Sequence, residues 1–274
     1  MDFIAKLREN EALSGSLLCV GLDPGYAKLP AAAKDQFEFN RQIIEATHDL
    51  VSCYKPNPAF YEARGAAGVQ ALKDTCDFLR TSYPHIPVIV DAKRGDIGNT
   101  NAGYVEYVFD YLGADAVTVA PYMGSESLEK FLEHGDKGII VLCRTSNAGA
   151  GEFQDLLVDG EPLYMRVARN TMKSWNARGN CAIVVGATYP NELAEIRGVV
   201  GPDMPILVPG VGTQGGDAQA VVRAGLGTDG GRMIVNASRA VIFASDGDDF
   251  AAAARASAIK LRDELNAYRK EMIS

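Results

Sequence analysis

Six consecutive residues, Asp91 to Asp96 (Asp-Ala-Lys-Arg-Gly-Asp), place an acid, a base and a second acid at the end of a strand-like run. The residues before them, 86–90, are apolar or proline, which is typical of an interior strand. Because side chains alternate along a strand, Asp91 and Lys93 point to the same face. Charges that leave an apolar strand together indicate a reactive site rather than a solvated surface.

Such a cluster supports proton donation beside a fixed negative charge. Two carboxylates about 4 Å apart repel by about 4 kcal/mol at an effective dielectric constant of about 20. A lysine between Asp91 and Asp96 relieves that repulsion and stays a cation. Lys93 would then be a positioned proton donor for a reaction that forms a carbanion. The alternative, salt bridging at the surface, would contribute little.

Further polar side chains follow other strand-like runs. Lys55 precedes Pro-Asn-Pro, which stops a strand, and it could neutralise and orient Asp91; the alternative is a lysine that reaches from the rim into solvent. Asp23, in Gly-Leu-Asp-Pro, could accept hydrogen bonds from a sugar hydroxyl or start a turn. Ser146 and Asn147 offer donors and acceptors for the edge of a planar heterocycle.

A glycine-rich segment, Pro209 to Asp217, matches the Gly-x-Gly-x-x-Gly pattern of dinucleotide sites. It favours a phosphate over NAD, because the next strand-like run ends at Asn236 without an acidic residue for a ribose. Its backbone N–H groups, including that of Gly215, would approach a phosphate ahead of a helix. Arg239 would add a charged clamp. Ordinary turn glycines and a surface arginine are the alternative.

Eight strand-like runs alternate with segments of helical period along the chain. This alternation predicts a parallel sheet with right-handed crossovers, and eight units without a break predict a single-domain (β/α)8 barrel over residues 1–274. An open doubly wound sheet is the rival. In a barrel, the residues named above would share the face at the carboxyl ends of the strands. The predicted strands are Ser16–Gly21, Val51–Lys55, Val88–Lys93, Ala116–Ala120, Gly138–Cys143, Ala182–Gly186, Ile206–Val208 and Arg232–Asn236.

The segment Ser146 to Gly151 is rich in glycine and alanine and follows a predicted strand. It carries few residues that would anchor it. We therefore predict that it is a mobile loop.

Composition limits the class of partner. The chain has 274 residues, 47% of them hydrophobic and 23% charged, as in ordinary globular proteins. A net charge of −8 argues against nucleic acid but allows one small anion. No apolar run approaches the ~20 residues that cross a bilayer, and the first residues lack the features of a signal peptide, so we expect a cytoplasmic protein without a membrane partner. Five dispersed cysteines and three histidines without ligand spacing predict reduced thiols and no metal site.

The run Asp91 to Ile97 resembles the Asp-x-Lys-x-x-Asp-Ile signature of the orotidine 5′-phosphate decarboxylases, most closely the longer bacterial branch. The resemblance covers nearly the whole chain, because further motifs of that family occur in order. These motifs are Val-Gly-Leu-Asp23-Pro, Lys55-Pro-Asn-Pro, Thr-Ser146-Asn, Pro-Gly-Val-Gly-x-Gln214-Gly-Gly and Asn-x-Ser-Arg239.

The resemblance implies decarboxylation of orotidine 5′-monophosphate (OMP) to UMP without cofactor or metal. It implies that Lys93 protonates C6 of the pyrimidine, that Asp91 faces the substrate carboxylate and that Lys55 holds Asp91 and a ribose hydroxyl. It further implies a homodimer in which Asp96 and Thr100 reach the partner's site. The remaining implied contacts are Asp23 with ribose, Ser146 with the pyrimidine, and Gln214 with Arg239 on the phosphate.

One position departs from the shorter branch of the family, which carries proline where this chain has Gly98. The loop that leads to Thr100 is therefore expected to be less rigid.

Three rival functions stay open at this point. A related phosphosugar synthase or aldolase uses a similar motif with magnesium. A Schiff-base aldolase needs an uncharged lysine, which two flanking carboxylates oppose. A non-catalytic nucleotide-binding barrel would not need a lysine between two acids.

Overall fold

The computed structural model describes residues 1–211 and 217–273. Its strands are short and mostly buried, as their apolar, β-branched composition predicts. The strands are β1 (Leu18–Leu22), β2 (Cys53–Pro56), β3 (Ile89–Arg94), β4 (Ala116–Val119), β5 (Gly138–Arg144), β6 (Leu157–Val158), β7 (Glu161–Pro162), β8 (Cys181–Val185), β9 (Ile206–Pro209) and β10 (Met233–Ala237).

Eight of these strands form one parallel sheet in the spatial order β2-β1-β10-β9-β8-β5-β4-β3. The two edges of this sheet meet, because Tyr54 of β2 bridges to Val88 and its N–H donates to the carbonyl of Pro87 at 3.0 Å. The predicted barrel is confirmed, each predicted strand is found, and the doubly wound alternative is wrong. Strands β6 and β7 form a separate antiparallel hairpin.

Helices surround the barrel, and their buried faces follow the helical period in the sequence. Phe39, on the buried face of one of these helices, stacks on Phe243 and Phe250 at ring-centroid distances of 5.6 and 5.1 Å. The helices are α1 (Phe3–Ser14), α2 (Gln36–Thr47), α3 (Ala59–Glu62), α4 (Gly65–Ser82), α5 (Gly98–Val105), α6 (Ser125–Leu132), α7 (Gly151–Gln154), α8 (Leu163–Asn170), α9 (Pro190–Val200), α10 (Ala218–Gly225), α11 (Arg239–Ile242) and α12 (Phe250–Ile273).

A small apolar cluster fills the inside of the barrel and is closed from below by Phe3 and Leu7 of α1. Gly138 makes room for this plug, because a Cβ there would lie 2.2 Å from the Phe3 ring. The strand residues in this cluster include Cys19, Cys53, Ile89, Ala116, Ile140, Ala182, Leu207 and Ile234. The interior is therefore dry and packed below, and the polar residues lie above it.

All five cysteines are buried, and none of them forms a disulfide. Among the described residues, no helix is long and apolar enough to cross a membrane.

Candidate active site

The carboxylate of Asp91 lies between two lysines. Lys55, at the end of β2, places its Nζ 3.0 Å from Asp91 Oδ2, and Lys93 places its Nζ 2.7 Å from Oδ1. Lys55 is buried, whereas the side chain of Lys93 is 47% exposed. The site thus combines an inner, fixed cation with an outer cation that solvent can reach.

Charge and burial act in opposite directions on these groups. Burial alone would raise the pKa of Asp91, but the ammonium groups of Lys55 and Lys93 outweigh burial and hold that pKa well below its usual range. Burial lowers the pKa of Lys55, and the carboxylates of Asp91 and Asp23 more than reverse this effect, so that pKa lies above its usual value. Asp91 is therefore a carboxylate and Lys55 an ammonium ion at neutral pH.

Thr118 of β4 completes this cluster and was missed in the sequence analysis. Its Oγ1 donates to Asp91 Oδ1 at 2.8 Å and accepts from the backbone N–H of Lys93 at 2.9 Å. A usable signal existed, because Thr118 is the only polar residue in the buried run Ala-Val-Thr-Val.

Asp96 does not join the cluster within one chain. Its Oδ1 accepts from the N–H of Ile97 at 2.7 Å. The Asn101 side chain accepts from the Asp96 backbone N–H at 3.1 Å and donates to the Asp96 backbone carbonyl. None of the ion pairs among the described residues involves Asp96. Lys93 is therefore not flanked by two carboxylates of its own chain, although the sequence had indicated such an arrangement. The inner arrangement is instead one carboxylate flanked by Lys55 and Lys93.

The loop around Asp96 faces outward and leads directly into α5. Gly98 is the first residue of that helix, and exposed Thr100 lies in its first turn. The loop is closed by the buried amide of Asn101, which also donates to the carbonyl of Ser127. This anchor, which the sequence analysis missed, ties the loop to α6.

A cavity of about 410 Å³ opens beside Lys55 and Asp91, and Asp23 and Arg239 also line it. Ser238 orients Asp23, since its Oγ lies 2.6 Å from Asp23 Oδ2. The buried Oδ1 of Asp23 has no hydrogen-bond partner among the described residues, so one acceptor of this carboxylate is unused.

The glycine-rich segment begins at the wall of the same cavity. Gly210 lines it and has a φ of 101°, a conformation that favours glycine. Gln214 and Gly215 lie outside the described residues. The side chain of Asp217 caps α10 by accepting from the N–H groups of Gln219 and Ala220.

Ser146 lies beyond the end of β5 and next to Gly186, which directly follows β8; a Cβ on Gly186 would approach the Ser146 Cβ to 2.7 Å. Hydrogen bonds hold the two ends of the loop on either side of residues 146–151. Gln154 accepts from the Thr145 N–H at 2.8 Å and donates to the Thr145 hydroxyl at 2.8 Å. The mobility of residues 146–151 stays a prediction, because these anchors lie just outside that segment.

The base of this loop is held by Arg144, which is buried at the end of β5. The guanidinium lies 3.9 Å from the ring centroid of Tyr189 and 3.2 Å from a carboxylate oxygen of Asp155. Ser146 thus extends from a fixed base.

As for metals, no group of three or more His, Cys, Asp or Glu side chains in residues 1–211 and 217–273 is placed to hold an ion.

Comparison with known proteins decides the family. The sequence profile of the orotidine 5′-phosphate decarboxylase / HUMPS family matches residues 16–256. This chain belongs to that family. Among its relatives, the orotidine 5′-phosphate decarboxylase of Cellvibrio japonicus is 51% identical over 98% of this chain and 100% of its own. That of Roseiflexus castenholzii is 52% identical over 97% of this chain and 98% of its own. The resemblance predicted from the motifs is confirmed.

Solved structures of the family have the same fold. The OMP decarboxylase of Leishmania donovani is 42% identical, with a TM-score of 0.87 over 98% of this chain and 100% of its own. The UMP synthase of the same organism is 44% identical, with a TM-score of 0.88. This chain covers only 57% of that longer protein. These decarboxylase relatives give no support to the aldolase, synthase or non-catalytic alternatives.

Proposed function

We propose that this chain is a carboxy-lyase that converts OMP to UMP and carbon dioxide, the last step of pyrimidine nucleotide synthesis. The observation that carries the proposal is the Lys55–Asp91–Lys93 arrangement beside a ligand-sized cavity, in a chain 51% identical to an orotidine 5′-phosphate decarboxylase. The three groups provide fixed charges of both signs at one point.

The reaction breaks the bond between C6 and the carboxylate carbon, and the electron pair stays on C6. The Lys93 ammonium stabilises this developing negative charge and then donates a proton from Nζ to C6. Asp91 lies against the leaving carboxylate and keeps Lys93 oriented. Because the Lys93 side chain is 47% exposed, it can regain a proton from solvent after each turnover.

Binding of the rest of the nucleotide is assigned to the cavity. The unpaired Oδ1 of Asp23 accepts from a ribose hydroxyl, and Lys55 contacts both Asp91 and the ribose. Arg239 binds the phosphate together with Gln214 and the backbone of Gly215, and Ser146 bonds to the pyrimidine edge. These contacts lie away from C6, so their binding energy can hold the reacting carbon against Lys93.

We further propose a homodimer with shared sites, in which Asp96 and Thr100 enter the partner's cavity. The supporting observation is an outward-facing loop whose Ile97 is 61% exposed, with Tyr122 after β4 83% exposed. Large apolar side chains in such positions are typical of an interface. We place the enzyme in the cytoplasm, because its substrate and product are charged nucleotides that do not cross membranes freely.

The test of the activity follows OMP absorbance and measures UMP and carbon dioxide, with and without EDTA. We expect both products in equal amounts and the same rate in EDTA. Absence of turnover would contradict the proposal. Loss of turnover in EDTA would favour the magnesium-dependent alternative.

Shared sites are tested by mixing Asp96→Ala subunits with Lys93→Ala subunits. One site of each hybrid dimer would contain an intact Lys93 and an intact Asp96, so activity should reappear. No recovery despite demonstrated subunit exchange would place Asp96 in the site of its own chain.

A further inference from the structure

We propose that Thr118 is a positioning residue that fixes Asp91 and Lys93 relative to each other through its hydroxyl. The inference rests on the proposed function, since it concerns the geometry of proton donation by Lys93. The relevant feature is the pairing of β3 with β4.

Strand β3 bulges at the point where it carries the reactive side chains. Val90 pairs with Val117 and Arg94 pairs with Val119, so the three residues 91–93 face the single residue Thr118. Bulges of this kind redirect side chains near active sites. Here the bulge brings Lys93 to a φ of 48°, the left-handed region that side chains other than glycine rarely adopt.

The Thr118 side chain replaces the backbone pairing that the bulge interrupts. The N–H of Lys93 donates to Thr118 Oγ1 at 2.9 Å, and the same hydroxyl donates to Asp91 Oδ1 at 2.8 Å. A hydroxyl has one proton and two lone pairs, so both bonds form at once.

These bonds close a ring. Lys93 Nζ donates to the same oxygen, Asp91 Oδ1, at 2.7 Å. The hydroxyl of Thr118 therefore holds Lys93 at its backbone and, through Asp91, at its ammonium group. Thr118 itself is fully buried, so solvent cannot replace its hydroxyl without a rearrangement.

Two variants distinguish the effect of the Thr118 hydroxyl from the effect of the side chain's shape. Thr118→Val keeps the shape and removes both hydrogen bonds, so kcat should fall about 10²-fold, the cost of a small misplacement at a reacting centre. KM should stay nearly constant, because the phosphate and ribose contacts are untouched. Thr118→Ser keeps the hydroxyl and should retain most of the activity.

Circular dichroism identifies a variant that does not fold. If Thr118→Val does not fold, Thr118→Cys replaces it, since a thiol of similar size is only a weak donor and should also lower kcat. An unchanged kcat in the folded Val or Cys variant, a rise in KM alone, or an equal loss in Thr118→Ser would overturn the inference.

Lys93→Ala is assayed in parallel. If Lys93→Ala is fully active, the proposed function itself fails. If Lys93→Ala is inactive while Thr118→Val is fully active, only the role of Thr118 fails.

Discussion

The two ends of the barrel are built from the same strands but carry opposite kinds of side chain. The lower layer contains Cys53 of β2, Ile89 of β3 and Ala116 of β4, all in the apolar cluster under the site. Two residues further along the same strands come Lys55, Asp91 and Thr118. Because the side-chain period of a strand is two, each polar residue lies directly above an apolar one.

This comparison shows how one fold separates stability from chemistry. The lower layer excludes water and is closed by Phe3 and Leu7. The layer above therefore holds its charges in a poorly hydrated place, where ion pairs act more strongly than in water. Over two residues of each strand, the side chains change from packing in the apolar layer to forming the reactive cluster.

The largest expected effect is at the upper layer, in Asp91→Asn. Removal of this charge leaves the buried ammonium of Lys55 without its partner, which should cost about 3–5 kcal/mol of unfolding free energy. Turnover should disappear as well, because Lys93 loses its orientation. Urea unfolding and OMP turnover measure both effects.

The control is Glu133→Gln, which removes an exposed ion pair with Lys130 and should change stability by only about 0–1 kcal/mol. Equal costs for the two variants would show that the Asp91 cluster is no more than a surface salt bridge.

The lower layer should show loss of stability without loss of chemistry. Phe3→Ala removes the buried plug and should cost about 3–5 kcal/mol. The folded fraction should keep its kcat, since the variant leaves every upper-layer contact in place. Leu13→Ala, on the exposed side of the same helix, is the matched control and should lower the free energy of unfolding by about 0.5 kcal/mol or less. A drop in kcat for folded Phe3→Ala would show that the two layers are coupled.

Features of this chain that depend on local sequence were predicted correctly. Apolar runs located all eight barrel strands, and Asp91 and Lys93 meet as predicted, although a bulge in β3 rather than regular alternation brings them together. The pairing of Lys55 with Asp91 was predicted, but the contact of Thr118 with Asp91 was missed, because such contacts depend on how distant strands align. Lys55 meets Asp91 only because β2 closes on β3, and Thr118 faces the bulge only in the observed register.

The same limit applies to the contacts that hold the loop at Ser146. Its composition is that of a mobile segment, but its anchors, Arg144 and Gln154, lie outside the segment. Nor did the sequence show that Asp96 would turn to its own loop instead of to Lys93.

The smallest expected effect is a difference in pH dependence between the two ends. At the upper end the pKa of Asp91 is held below its usual range and that of Lys55 above it. Their stabilisation is lost only as the pH falls through the lowered pKa of Asp91 or rises through the raised pKa of Lys55. It should therefore be constant around neutral pH.

At the lower end, burial raises the pKa of Glu11 of α1 from 4.5 to about 7, although Arg232 acts in the opposite direction. The folded protein thus binds this proton more tightly than the unfolded chain does. The resulting stabilisation is complete below pH 4.5 and is lost as the pH rises through about 7.

Urea unfolding across this pH range measures the effect. Glu11→Gln should abolish the decline, whereas Glu9→Gln, on the exposed side of α1, should preserve it. An unchanged decline in Glu11→Gln would assign it to another group.

The central claim is that Lys93 donates the proton at the upper end of the barrel. The most direct measurement is the OMP turnover of Lys93→Ala beside that of Lys130→Ala, which removes a surface lysine. Loss of a positioned general acid should lower kcat by about 10²–10⁴-fold or more in Lys93→Ala, with Lys130→Ala unchanged. Undiminished turnover by a folded Lys93→Ala would contradict the account.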